Sequence, residues 1–126
     1  MKPFKHLTAQ SLEEATALLA RTGGKARIIA GGTDLLGELK DAILPAGGYP
    51  ETIVDIKRIP GLDYVAVDGR GLRVGALTRL EDLATNDAVV RDYPALAEAA
   101  GKTASPHIRE MGTVAGNICQ NNRCWY

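Results

Sequence analysis

Residues Lys25–Lys40, KARIIAGGTDLLGELK, form the stretch whose reading decides the fold. Arg27 to Ala30 is apolar and β-branched enough for an interior strand. Gly31 and Gly32 follow. Without a Cβ they let the backbone turn sharply and approach a ligand. Thr33 is placed to cap the next helix, with Asp34 in its first turn. Such a helix start presents N–H groups without intrahelical partners and the positive end of the dipole, so it suits an anion, above all a phosphate. A Gly-Gly pair also serves as a plain strand-to-helix turn, and the stretch alone fits either reading.

On the N-terminal side, Phe4 lies in a short segment that reads as a strand. Ser11-Leu12-Glu13-Glu14 is a capping box, after which Leu12, Ala15, Leu18 and Leu19 share a helical face. Gly23-Gly24 ends that helix. The order β-α-β-turn-α favours a parallel α/β arrangement. On the C-terminal side, the helix from Thr33 is expected to fade near Ile43, before a loop from Leu44 to Pro50. Thr52 to Ile56, TIVDI, reads as a second buried strand, and Ile59-Pro60-Gly61-Leu62 as a turn. Tyr64–Val67 and Leu72–Gly75 flank Asp68-Gly69-Arg70-Gly71, a hairpin signal. Thr78-Arg79-Leu80-Glu81 reads as a second capping box for a helix to about Ala84. Pro94 starts another helix, through Leu96 and Ala100, that stops at Gly101. There are no repeats, and the short connections read as one compact unit spanning residues 1–126.

The chain of 126 residues is 45% hydrophobic and 24% charged, the composition of an ordinary soluble globular domain. Fifteen basic residues balance fifteen acidic ones, which leaves no electrostatic footprint for nucleic acid or an anionic membrane. No apolar run approaches the roughly 20 residues of a membrane span, and MKPFKHLTAQ lacks a signal-peptide core. A cytoplasmic location is the expectation. The two cysteines, Cys119 and Cys124, do not by their spacing make a zinc site, which normally takes four ligands.

From Ala104 the sequence reads ASPHIREMGTVAGNICQNNRCWY, without a convincing helical or strand period. Gly116 allows close backbone approach, and Thr113 and Asn117 offer short polar side chains to a phosphate or ribose. Alone this stretch also fits a structural turn. Two such stretches in one small chain favour a ligand with two phosphates to cradle.

Together these residues carry a resemblance. The chain resembles the FAD-binding medium subunit of the molybdenum hydroxylases, the xanthine dehydrogenase and carbon monoxide dehydrogenase family. The matching residues are Ile29-Ala30-Gly31-Gly32-Thr33-Asp34-Leu35-Leu36, Val74-Gly75-Ala76-Leu77-Thr78, and the run from Ser105 to Ile118. With Phe4 and the strand Thr52–Ile56, the resemblance spans nearly the whole chain. It implies an α/β (α+β) fold, the N-terminal subdomain of a PCMH-type FAD-binding domain, with a small mixed or parallel sheet flanked by helices. It also implies that Ile29, Ala30, Gly31, Gly32, Thr33, Asp34 and Leu35 wrap the FAD pyrophosphate. Gly112, Thr113, Gly116 and Asn117 would cover the other side of the cofactor, with Ala104 and Ile108 as lining and no catalytic residue among them. Ala115 stands where the family commonly has glycine, and alanine fits only at negative φ.

The resemblance further implies an iron–sulfur small subunit and a molybdopterin large subunit as partners, with FAD relaying electrons between the clusters and an acceptor. The family subunit is more than twice this length, so the chain reads as a truncated product or half of a split subunit. Apolar surface exposed where the other half would pack favours a homo-oligomer. Relatives resembling 4-hydroxybenzoyl-CoA reductase carry a [4Fe–4S] cluster in an insertion that begins where Cys119 and Cys124 lie. That cluster takes four thiolates, and the chain holds two. His107 is read as a surface or packing residue, His6 as having no identifiable partner, and Asp34 and Glu38 as helix-start charges. The rival readings are a flavin oxidase of the same fold and a chain that binds no cofactor. The glycine loop has no histidine for a covalent flavin link.

Overall fold

The structure, a computed structural model, describes residues 1–123. The chain divides into two compact units, Met1–Pro60 and Gly61–Tyr126, where its short connections had suggested one. The reason lies in strand pairing. Among the described residues, the strands of each unit pair only with one another, in a three-stranded and a two-stranded sheet. Gly61, at the boundary, takes φ +75°.

The first unit contains β1 (Lys5–Thr8), α1 (Leu12–Arg21), β2 (Ala26–Ile29), α2 (Leu35–Lys40) and β3 (Thr52–Asp55). Its sheet is parallel in the order β1-β3-β2, with Lys5 and Ala26 both registered on Thr52. The parallel arrangement expected from the alternation of strands and helices is therefore present. The last strand in sequence takes the central place and is buried along its whole length. That insertion leaves β2 at an edge, not in the interior as its composition suggested. Ile29 is buried, but Ile28 is 48% exposed. The core gathers Ile29, Leu39 and Ile53, with Phe4, Leu35, Leu44 and Tyr49 packed against them.

Helix α1 begins where the capping signal placed it, with Ser11 Oγ accepting from Glu14 N at 3.1 Å. The return bond is displaced by one residue: Glu14 Oε2 accepts from Gln10 N at 2.7 Å. Leu12 is exposed, and Ala15 is the buried residue of the helix. Helix α2 is shorter than its pattern promised, ending at Lys40, and Ala42 beyond it takes φ +56°.

The second unit opens with the hairpin β4 (Val65–Asp68) and β5 (Gly71–Val74), joined by Gly69-Arg70. Asp68 Oδ1 accepts from Arg70 N at 2.9 Å and closes the turn. Among the described residues, five short helices follow: α3 (Leu80–Thr85), α4 (Asp87–Asp92), α5 (Pro94–Gly101), α6 (Pro106–Met111) and α7 (Val114–Ile118). Their core is Leu83, Val89, Ala97 and Ala100, with Val65, Leu72, Val74 and Tyr93 against it.

One local reading is corrected here, and one helix was not anticipated. Thr78 does not cap α3. It is buried, and its hydroxyl donates to Tyr64 O at 2.9 Å and accepts from Tyr64 N at 3.2 Å, so Arg79 becomes an N-cap without a side-chain capping bond. Helix α4 was not legible by period. Its start is set by Asn86 Oδ1, which accepts from Ala88 N and Val89 N. Among the described residues no helix is long and apolar enough to cross a membrane.

Candidate functional site

The first candidate stretch leaves the end of β2. Ile29 O accepts from Ile56 N at 3.2 Å, which ties the strand end to the chain leaving β3. Gly32 then takes φ +76°. A Cβ there would stand 3.1 Å from Leu36 Cδ1 and 3.2 Å from Ile29 Cδ1, so a side chain at this position is strained by conformation and presses on both neighbours. Leu36 N, at the start of α2, bonds back to Gly32 O at 3.0 Å. Among the described residues of this unit, the amides of Ala30, Gly31, Gly32, Thr33 and Leu35 thus have no backbone acceptor. That donor set fits a pyrophosphate.

Thr33 does not cap α2. The N-cap is Asp34, in αR geometry and without a side-chain cap bond, so Thr33 lies inside the turn and is exposed. Leu35 opens the helix and packs against the core. Glu38, expected as a helix-start charge, is instead only 2% exposed.

The second candidate stretch, which showed no period in the sequence, consists of α6 and α7. Short helices with separate caps blur a 3.6-residue repeat. Ala104 precedes α6 at φ +47° and is exposed. Ser105 caps the helix, its Oγ accepting from Ile108 N at 3.4 Å, with Pro106 in the first turn. Ile108 is partly exposed. Gly112 closes α6 through its N–H to Ile108 O at 2.6 Å.

The Gly112-Thr113 turn is then pinned to the segment before α3. Leu80 N donates to Gly112 O at 2.9 Å, and Val114 N donates to Thr78 O at 2.8 Å. Ala115 N donates to Ala76 O at 3.2 Å. The stretch Val74–Thr78 is therefore brought against the Gly-Thr turn. Thr113 is buried and caps α7, its Oγ1 accepting from Gly116 N at 3.2 Å. A Cβ at Gly116 would lie 3.0 Å from that oxygen. The Thr113 hydroxyl thus acts as a cap. Asn117 is half-buried one turn on, its N–H bonded to Thr113 O at 2.8 Å. Ala115 is helical and not at positive φ, the condition under which alanine fits.

Arg109 was missed in the sequence, where nothing marks an arginine as internal. Its Nε donates to Glu81 Oε2 at 2.7 Å and its Nη1 to Thr103 O at 3.2 Å, with the side chain 14% exposed. His107 is exposed, as read. His6 has a partner after all, because β1 lies beside β3: its Nε2 stands 3.4 Å from Asp55 Oδ2. Burial raises the Asp55 pKa, but Lys57, at 2.8 Å and through its backbone N–H, outweighs this together with His6. The carboxyl is held below its ordinary value.

Cys119 is an exposed free thiol at the C-cap of α7, and Cys124 lies outside the described residues. Among the described residues no group of three or more His, Cys, Asp or Glu side chains could hold a metal ion. The Ile29–Leu35 stretch belongs to the first unit and the Ala104–Asn117 stretch to the second.

A parallel β-turn-α unit with a left-handed glycine and a row of loop amides is the architecture of an α/β domain for a phosphate-bearing cofactor. The family described as "FAD binding domain in molybdopterin dehydrogenase" matches residues 2–124, and the chain belongs to that family. FAD is the cofactor that this membership assigns.

Among curated proteins, the chain is 39% identical over 120 residues to the 6-hydroxypseudooxynicotine dehydrogenase complex subunit alpha of Paenarthrobacter nicotinovorans, covering 94% of this chain and 39% of that protein. It is 40% identical over 127 residues to the aldehyde oxidoreductase FAD-binding subunit PaoB of Escherichia coli, covering 38% of that subunit. Among solved structures, a carbon monoxide dehydrogenase from Hydrogenophaga pseudoflava matches with TM-score 0.85 at 38% identity, over 94% of this chain and 40% of that one. The chain spans about two fifths of the length of the curated relatives it matches.

Proposed function

We propose that this chain is the N-terminal part of a PCMH-type FAD-binding domain in the flavin subunit of a molybdenum hydroxylase-type oxidoreductase. The observation that carries the reading is the Gly32 turn, which takes φ +76° and is followed by the Thr33 and Leu35 amides, which the unit's own backbone does not use. Bound FAD would supply the redox chemistry, passing electrons between iron–sulfur clusters of a small subunit and an acceptor. Substrate oxidation would belong to a molybdopterin-bearing large subunit, and the assembly would be cytoplasmic.

The chain's own residues bind and orient. Ile29, Ala30, Gly31, Gly32, Thr33, Asp34 and Leu35 hold the pyrophosphate, mainly through backbone N–H groups. Gly112, Thr113, Gly116 and Asn117 contact the cofactor from the second stretch, with Ala104 and Ile108 as lining. None of them is assigned a catalytic role. A [4Fe–4S] cluster at Cys119 and Cys124 would need two further thiolates from outside this chain.

The test is a titration of the purified chain with FAD, followed by flavin fluorescence and the visible spectrum. Stoichiometric binding with a perturbed flavin spectrum is the expected outcome. A chain that retains no flavin at any FAD concentration would overturn the reading for this chain and leave a folded domain without cofactor.

A further inference from the structure

Ala104 is one of two described residues other than glycine at positive φ, and it stands immediately before the second cofactor stretch. An L-residue in this region is strained by its Cβ, so the surroundings must hold it there. The residue before it supplies the hold. Thr103 N bonds Ala100 O at 3.1 Å and Thr103 Oγ1 bonds Ala99 O at 3.0 Å, both facing back into α5. On the far side, Thr103 O accepts from Arg109 Nη1 at 3.2 Å.

Arg109 is not free to drift. Its Nε is fixed by Glu81 Oε2 at 2.7 Å, and both side chains are largely buried. Glu81 sits on α3, whose start is pinned to the Gly112-Thr113 turn through Leu80 N and Gly112 O. The guanidinium fork therefore ties three elements at once: α3, the end of α5 and α6.

We infer that Arg109, clamped by Glu81, is a positioning residue that holds Thr103-Ala104 in its left-handed bend and so sets where the second FAD-binding stretch begins. The inference rests on the proposed FAD reading for its consequence, but its structural content concerns Ala104 alone. A lysine cannot replace the arginine, because one ammonium cannot reach Glu81 and the Thr103 carbonyl with the geometry of a fork. The neighbouring pair, Arg79 Nη1 to Glu110 Oε2 at 3.3 Å, also joins the start of α3 to α6 but touches nothing in the bend.

The experiment uses the isotopically labelled 126-residue chain and its R109K, R109K/A104G and R79Q variants. The Ala104 amide-to-Hα coupling and carbon shifts report the sign of φ, and flavin fluorescence reports FAD affinity. R109K is expected to lose the left-handed signature at Ala104 and weaken FAD binding about tenfold, the scale of one charge-assisted hydrogen bond. Glycine adopts the bend without a clamp, so R109K/A104G is expected to recover FAD affinity to within about threefold of the parent. R79Q should leave both readouts unchanged. An intact Ala104 signature in R109K overturns the inference, as does a lost signature with unchanged FAD affinity. If the parent chain binds no FAD, the proposed function fails, and the Ala104 signature alone decides the clamp.

Discussion

Replacing Gly32 by alanine puts the proposed pyrophosphate turn to the sharpest test. At φ +76° an alanine pays the left-handed penalty, about 1–2 kcal/mol. Its Cβ would also meet Leu36 Cδ1 at 3.1 Å and Ile29 Cδ1 at 3.2 Å, closer than most such contacts. Ile29 belongs to the buried cluster with Leu39 and Ile53, so it cannot move without disturbing the core. Overpacking of this kind costs about 1 kcal/mol or somewhat more. The sum is about 2–3 kcal/mol, and thermal unfolding should fall by roughly 10 °C.

Gly24 supplies the control, since it takes φ +83° but has nothing within 4 Å of its would-be Cβ. G24A should show only the conformational penalty, about 1–2 kcal/mol, and keep its FAD affinity. G32A should be the less stable of the two in a denaturant titration and should lose FAD affinity at least tenfold, because moving the turn moves the amides. Equal stability of G24A and G32A would refute the packing argument. Wild-type FAD affinity in a folded G32A would refute the role given to the turn.

Asp55 yields a pH prediction. A carboxyl whose folded pKa is depressed contributes stability that is complete above its ordinary value and is lost as pH falls through the folded pKa. The wild type should therefore lose stability below the ordinary carboxylate range. D55N should be weaker by about 1 kcal/mol at neutral pH and show a flatter acid limb, measured by urea midpoints against pH. Identical acid limbs would show that the His6 and Lys57 contacts are not made in solution. Thr113 makes a second, local case. T113A removes the cap on Gly116 N and should cost about 1 kcal/mol, while T113S should restore most of it. A neutral T113A would mean that α7 is held by its backbone bonds to Thr78 and Ala76 alone.

Much of this molecule was legible before any coordinates, wherever a short span of chain decides the matter. The Ser11 cap, the Gly69-Arg70 hairpin and the Pro94 helix start all follow from bonds or dihedral limits within four residues. The order of strands and helices likewise pointed to a parallel sheet, and the order of three motifs pointed to the family. What failed was whatever depended on distant neighbours. TIVDI read correctly as buried, but nothing in it says that β3 inserts between β1 and β2 and leaves Ile28 at an edge. Thr78 carried the pattern of a helix cap, yet the Tyr64 backbone, fourteen residues away, takes its hydroxyl.

The candidate site divides along the same line. The sequence by itself determined the chemical parts: glycines at the turns, small polar residues beside them, and two cysteines after the second stretch. Tertiary structure decided their employment. It turned Thr113 into a cap, placed Thr33 inside a turn, buried Glu38, and drew Arg109 between Glu81 and Thr103. The physical reason is that backbone dihedral preferences act over a few residues. A side chain's hydrogen-bond partner is set by which elements the fold makes neighbours.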